Sequence, residues 1–106
     1  MTRGAGALLA AISLATAGGV EAAAPPPGEA TYQTACASCH DGGTAGAPRL
    51  GDRAAWAPRL KQGMDVLYRV GLNGKPGTAM VAKGGYARLS DAEVRAAVDF
   101  MAAGAR

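Results

Sequence analysis

The only two cysteines of the chain stand three residues apart, and its only histidine follows the second: Cys36-Ala37-Ser38-Cys39-His40. C-x-x-C-H is the sequence signature of c-type haem attachment. Two side chains at that spacing on a helical turn face the same side. There both thiols can add to the two vinyl groups on one edge of a porphyrin. The next residue carries its imidazole under the ring, and a neutral imidazole is a good iron ligand. Duller readings fit less well. A thioredoxin-like dithiol needs a strand-helix-strand setting, and no such pattern is visible. A closed zinc site needs four ligands, whereas the chain has two Cys and one His. A disulfide across so tight a loop constrains little and leaves His40 unexplained. The expected cofactor is one covalent haem c, held by Cys36 and Cys39 and ligated at iron by His40.

Size points the same way. The chain has 106 residues, of which five are aromatic (one Trp, three Tyr, one Phe), and much of its 49% hydrophobic content is Ala. A domain this small, with so little side-chain bulk, usually needs a disulfide, a metal or a cofactor to complete its core.

The first two dozen residues read as a leader. Met1-Thr2-Arg3 is a short basic start, Gly4 to Val20 is apolar and uncharged, and Ala22-Ala23-Ala24 precedes Pro25-Pro26-Pro27. That order matches a secretory signal peptide, expected over residues 1–24 with its cut near Ala17 or Ala22. A Pro-rich stretch, 25–29, follows. The apolar run is short and broken by glycine, below the roughly 20 residues of a spanning helix. Membrane attachment would therefore come only through an uncleaved leader. Removing residues 1–24 takes away Arg3 and Glu21, so basic residues fall from 11 to 10, acidic ones from 8 to 7, and the net charge stays +3. Two haem propionates would lower it to roughly +1, which leaves no strong field for nucleic acid.

Four helices and no strand are predicted after the prolines. The first runs from Gly28 to about Ala37. The second runs from Arg53 to about Gln62, capped by Asp52 and shortened or kinked by Pro58. The third runs from Met64 to Val70, closed by Gly71 and the Asn73-Gly74 turn. The last opens on a capping box, Ser90-Asp91-Ala92-Glu93, and carries Val94, Ala97, Val98 and Met101 on one apolar stripe. The glycine-rich stretches 41–51 and 74–85 read as backbone that approaches something closely.

With one His in the chain, the sixth iron ligand must be a different donor. Met101 lies on the apolar stripe and Met64 opens a helix, so both read as packing. Met80 lies in a loop among small residues and is the expected ligand. A Met/His pair raises the reduction potential, and filling both axial positions favours electron transfer over oxygen chemistry.

The chain resembles class I cytochrome c of the bacterial c-five type. The resemblance rests on the C-A-S-C-H motif, Gly46-Ala47-Pro48-Arg49-Leu50-Gly51-Asp52, Trp56-Ala57-Pro58-Arg59, Gly63-Met64-Asp65, and Met80 with Lys83-Gly84-Gly85. It covers about residues 30–103 and implies an all-α fold of about four helices around the haem, with 30–104 as the cytochrome domain. First and last helices would cross near Tyr32 and Phe100, and Trp56 and Arg59 would lie near the propionates. Two features depart from the family. Val81 and Ala82 replace two prolines after the ligand Met, which predicts a less preorganised loop. Tyr86 and Leu89 stand where a second Cys pair is common. The implied function is periplasmic electron transfer in a respiratory chain, by a monomer with redox-protein partners and no enzymatic activity of its own. The alternatives are an electron-transfer subunit of a periplasmic dehydrogenase and a haem sensor with an open sixth position. Lys61, Lys75 and Lys83 are candidates for steering acidic partners.

Overall fold

The computed structural model describes residues 2, 4–13 and 24–106. Half of the expected signal peptide lies outside the described residues, as do both candidate cuts, Ala17 and Ala22. Its described portion, 4–13, has no helix, and Leu8, Leu9 and Ile12 are exposed. No described helix is long and apolar enough to cross a membrane.

The rest is a four-helix domain with no strand among the described residues. Helix α1 spans residues 29–40 in three pieces: an α turn at Glu29–Thr31, a π turn at Tyr32–Cys36, and α-helix again at Ala37–His40. Helix α2 is Arg53–Leu60, α3 is Met64–Asn73 and α4 is Asp91–Gly104. Short 3₁₀ turns lie at Thr44–Gly46 and Ala82–Gly85.

Caps explain where the helices start. The Asp52 Oδ1 accepts from the Ala55 N–H (3.1 Å) and opens α2. Ser90 and Glu93 form the expected reciprocal box at α4: Ser90 Oγ accepts from the Glu93 N–H (3.1 Å), and Glu93 Oε1 accepts from the Ser90 N–H (3.1 Å). Pro58 sits inside α2 without ending it. The second helix stops at Leu60 rather than Gln62 because the chain turns back through Lys61 and Gln62, whose N–H groups bond to the carbonyls of Ala57 and Arg59.

The third helix departs from expectation in an instructive way. It continues through Gly71 to Asn73 and ends at Gly74, whose φ is 79°. Gly71 is buried. A Cβ there would lie 2.8 Å from Val98 Cγ2 and 3.3 Å from Val94 Cγ1. Gly71 is thus the contact point of α3 on α4, and a glycine that reads as a stop is a packing residue.

Helices α1 and α4 cross as expected. Tyr32 is fully buried, with its ring 5.2 Å from that of Phe100 at 47°. At the start of α1, Gly28 lies so close to α4 that a Cβ would come 2.0 Å from the Ala96 carbonyl oxygen. The α4 stripe, Val94, Ala97, Val98 and Met101, is buried along its length, and Ala102 and Ala105 extend it. Tyr32, Trp56, Ala97, Met101 and Ala105 form one apolar cluster.

Candidate functional site

One cleft gathers all four expected site residues. Cys36, Cys39, His40 and Met80 line it, with Trp56 and Arg59 from α2, Leu67 and Gly71 from α3, and Val98 and Met101 from α4. Its empty space, counted out to the open mouth, is about 1200 Å³. No acidic side chain among the described residues lines it. The lining is largely apolar, as a site for a large, mostly apolar cofactor must be.

The π turn sets the phase of the attachment motif. The Ala37 N–H reaches back five residues to the Tyr32 carbonyl. One extra residue in the turn shifts everything after it around the helix axis. Tyr32 therefore points at α4 and stays in the core, while Cys36 and Cys39, one α turn apart, face the cleft. Both thiols are free and half-buried, and burial raises the pKa of the Cys36 thiol. Nothing in the one-letter sequence marks this π turn. The Tyr32 hydroxyl donates to Asp41 Oδ1, just beyond the motif, and so ties its two ends together.

His40 is held by a group that sequence reasoning missed. Its Nδ1 lies 2.8 Å from the Pro48 carbonyl oxygen. A carbonyl can only accept, so Nδ1 carries the proton and Nε2 keeps its lone pair for a metal. The ring is 7% exposed and stacks beside Trp56, with centroids 6.0 Å apart at 30°. The 41–51 loop is closed onto the motif by the Leu50 N–H, which donates to the His40 carbonyl (2.7 Å). Ala47 is extended (ψ 135°), as a residue before proline prefers, and this delivers the Pro48 carbonyl to the imidazole. The available signal was Ala47-Pro48 itself.

Met80, on the lining of the same cleft, is half-buried in a loop that is better fixed than its sequence suggests. The Lys75 N–H donates to the Met80 carbonyl (2.9 Å), beside an isolated antiparallel bridge between Gly74 and Val81. Thr78 Oγ1 accepts from the Met80 N–H (3.2 Å) and donates to the Lys75 carbonyl (2.7 Å). These bonds take the place of the missing prolines. Met64 is directed elsewhere, with its sulfur 3.6 Å from Arg106 Nη2. Met101 borders the cleft but is 4% exposed and packed in the core cluster.

Two side chains expected at the propionates, Trp56 and Arg59, do line the cleft. The indole N–H is already engaged, donating to the Arg49 carbonyl (2.8 Å). One Arg59 nitrogen donates to the Ala55 carbonyl (2.6 Å), and its remaining N–H groups are available to an anion. Of the three lysines named for partner steering, Lys75 is exposed and borders the cleft. Lys61 is exposed but outside the cleft lining. Lys83 is turned inward, donating to the Leu89 carbonyl (2.6 Å) and pairing with Asp91 (3.2 Å).

The residues present fit haem c. Two free thiols stand one turn apart, a tautomer-locked imidazole follows, and a methionine thioether borders the same apolar cleft. Comparisons with known proteins agree. The profile of the family described as "Cytochrome C oxidase, cbb3-type, subunit III" matches residues 23–101. Cytochrome c-555 of Chlorobaculum tepidum is 46% identical over 95% of both chains. Cytochrome c5 of Azotobacter vinelandii is 43% identical over 62% of this chain and 80% of its own. Among solved structures, a chain in the "electron transfer complex of nitrite reductase with cytochrome c" superposes with a TM-score of 0.70 at 48% identity, covering 77% of this chain and 98% of that one. Ectothiorhodospira halophila cytochrome c551 superposes with a TM-score of 0.59 at 36% identity, covering 72% and 96%.

Proposed function

From a chain that belongs to the class I cytochrome c family, of the c5 type, and so carries covalent haem c, we propose a periplasmic monohaem electron carrier of a respiratory chain. The observation that carries the reading is that two iron-ligating side chains line one apolar cleft: His40, with Nδ1 tied to Pro48, and Met80. Cys36 and Cys39 would hold the haem covalently, and His40 and Met80 would ligate its iron. When bound, the haem supplies a one-electron iron couple, and a Met/His ligand pair raises its potential. The protein's own residues do the rest. The Pro48 carbonyl fixes the imidazole tautomer and ring orientation. The apolar walls exclude water. Arg59 neutralises a propionate, a role its free guanidinium donors suit.

With His40 and Met80 both engaged at iron, no position would remain for substrate, so the protein acts as a carrier and not as an enzyme. Its partners are redox proteins, a class that the solved nitrite reductase–cytochrome c complex exemplifies. Export rests on the leader: the basic start, the apolar run and the small residues before Pro25.

The test is the visible spectrum of the purified protein, oxidised and reduced, with acid-acetone extraction. Haem that resists extraction, a sharp low-spin reduced spectrum and the weak far-red Met–iron(III) band are expected. A high-spin spectrum that binds carbon monoxide readily would move the sensor reading ahead. Release by osmotic shock, as a monomer whose first residue follows the leader, tests location and state. Co-purification with a catalytic chain would make it a dehydrogenase subunit instead.

A further inference from the structure

The segment that follows Met80 is held in an unfavourable backbone conformation by one side chain. Lys83 has φ 53°, in the left-handed region that a residue with a Cβ avoids. Gly84 follows at φ 62°, packed so tightly on α1 that a Cβ would lie 2.2 Å from the Ala35 carbonyl oxygen. Ala35 directly precedes the first attachment cysteine. The left-handed pair presses the loop onto α1, and such geometry persists only where surrounding bonds over-determine it.

Those bonds converge on the Lys83 ammonium. It donates to the Leu89 carbonyl at 2.6 Å and pairs with Asp91 at 3.2 Å, and the Lys83 side chain is 21% exposed. The intervening turn is closed by the Leu89 N–H on the Tyr86 carbonyl (3.0 Å) and the Tyr86 N–H on the Lys83 carbonyl (3.0 Å). Residues 83–91 thus form a closed loop seated on the start of α4, whose box at Ser90 is rigid. Upstream of Met80, the Gly74–Val81 bridge fixes the other side. Among the described residues, Lys83 is the side chain whose hydrogen bond and ion pair tie the downstream side to the start of α4.

We propose that Lys83 is a positioning residue for the Met80 ligand: its ammonium straps the segment after Met80 to α4 and keeps the thioether in the cleft against competing donors. This rests on the assignment of Met80 to iron. It places a charge-assisted hydrogen bond where the two prolines and the second Cys pair of the family are missing.

The experiment is an imidazole titration of the ferric holoprotein, followed by the far-red Met–iron(III) band. Lys83→Met keeps the aliphatic stem and removes the donor. The imidazole Kd should fall about tenfold, which is ~1.4 kcal/mol, and hydrogen exchange at residues 81–85 should speed up. Lys83→Arg should restore most of the wild-type Kd. Ser90→Ala removes one capping bond at α4 but leaves the Lys83 donor, the Leu89 carbonyl and the Asp91 carboxylate in place, and its Kd should stay within about twofold of wild type. If the Lys83→Met protein does not mature, Asp91→Asn, which removes the paired charge, is read instead and should lower the Kd about threefold. An unchanged Kd in the variant read, or an equal fall in Ser90→Ala, would overturn the proposal. Absence of the far-red band in the wild-type protein is a separate outcome: it removes Met80 as ligand, and with it any ligand for Lys83 to position.

Discussion

Replacing Gly71 by Ala should destabilise the domain, although Ala is the better helix former. Gly71 lies two residues inside the end of α3 with its Cα against α4. Helix propensity alone favours Ala by about 1 kcal/mol. Packing opposes it. The new methyl would sit 2.8 Å from Val98 Cγ2 and 3.3 Å from Val94 Cγ1. Both neighbours are β-branched residues in a helix, where one χ1 rotamer dominates, so neither can swing aside. Relief requires α3 to back away from α4. Overpacking costs about 1–3 kcal/mol, and a 2.8 Å contact with a methyl that cannot yield falls in the upper part of that range, about 2–3 kcal/mol, leaving a net loss of about 1–2 kcal/mol after the propensity gain. For a domain of this size that is roughly a 4–16 °C drop in Tm. Thermal unfolding of the holoprotein, followed by far-UV circular dichroism, measures it. The second arm is Val98→Ala, which removes the struck methyl. The double variant should be more stable than the two single losses predict, with a coupling of about 1 kcal/mol. A Tm equal to or above wild type for Gly71→Ala would refute the contact and return Gly71 to the role of an ordinary helical glycine.

Three further outcomes are expected. Ser90→Ala should cost about 1 kcal/mol by denaturant titration, because it removes one half of the α4 capping box. Tyr32→Phe keeps the ring on Phe100 and loses the hydroxyl donor to Asp41, which should cost about 1–2 kcal/mol near neutral pH. It should also change the alkaline limb. Burial, then the bond to Asp41, raises the Tyr32 pKa above its ordinary 10.0. The stability this represents is complete below pH 10.0 and is lost as pH rises above it, so the variant should show a shallower decline there; an identical alkaline limb would refute the assignment. Lys75→Gln should slow electron transfer to an acidic partner at low salt, and Lys83→Gln should leave its salt dependence unchanged, as stopped-flow rates at two ionic strengths will show.

Much of this molecule was legible in residue order, and the rest shows what residue order leaves out. The attachment motif reads directly because spacing on a helix is a local property. The α4 stripe and its box read for the same reason. Gly71 misled because a glycine at a helix end and a glycine under another helix look alike in sequence, and only the position of Val94 and Val98 separates them. The Pro48 carbonyl was invisible because a backbone acceptor carries no letter. The π turn was invisible because it depends on where Tyr32 must be buried relative to Cys36. Lys83 reads as an ordinary surface cation, and its inward turn requires Leu89 and Asp91 to be brought back to it by the 3₁₀ turn.

These long-range contacts share a purpose. The cleft has three independent walls: the end of α1 with its thiols and imidazole, the α3–α4 pair, and the Met80 loop. Each is fixed to a neighbour by a place where backbone approaches too closely for a Cβ. Gly28 sets α1 on α4, Gly71 sets α3 on α4, and Gly84 sets the Met80 loop on α1 beside Cys36. The buried core supplies few large side chains beyond Tyr32, Trp56, Leu67 and Met101. Apolar burial among protein groups is therefore small, and the haem, once attached, provides the remainder. Rigid spacing between the walls is then what keeps the cleft one shape around the haem while the iron changes charge. A carrier needs that constancy in both redox states, so the glycine contacts belong to its electron-transfer function as much as to its fold.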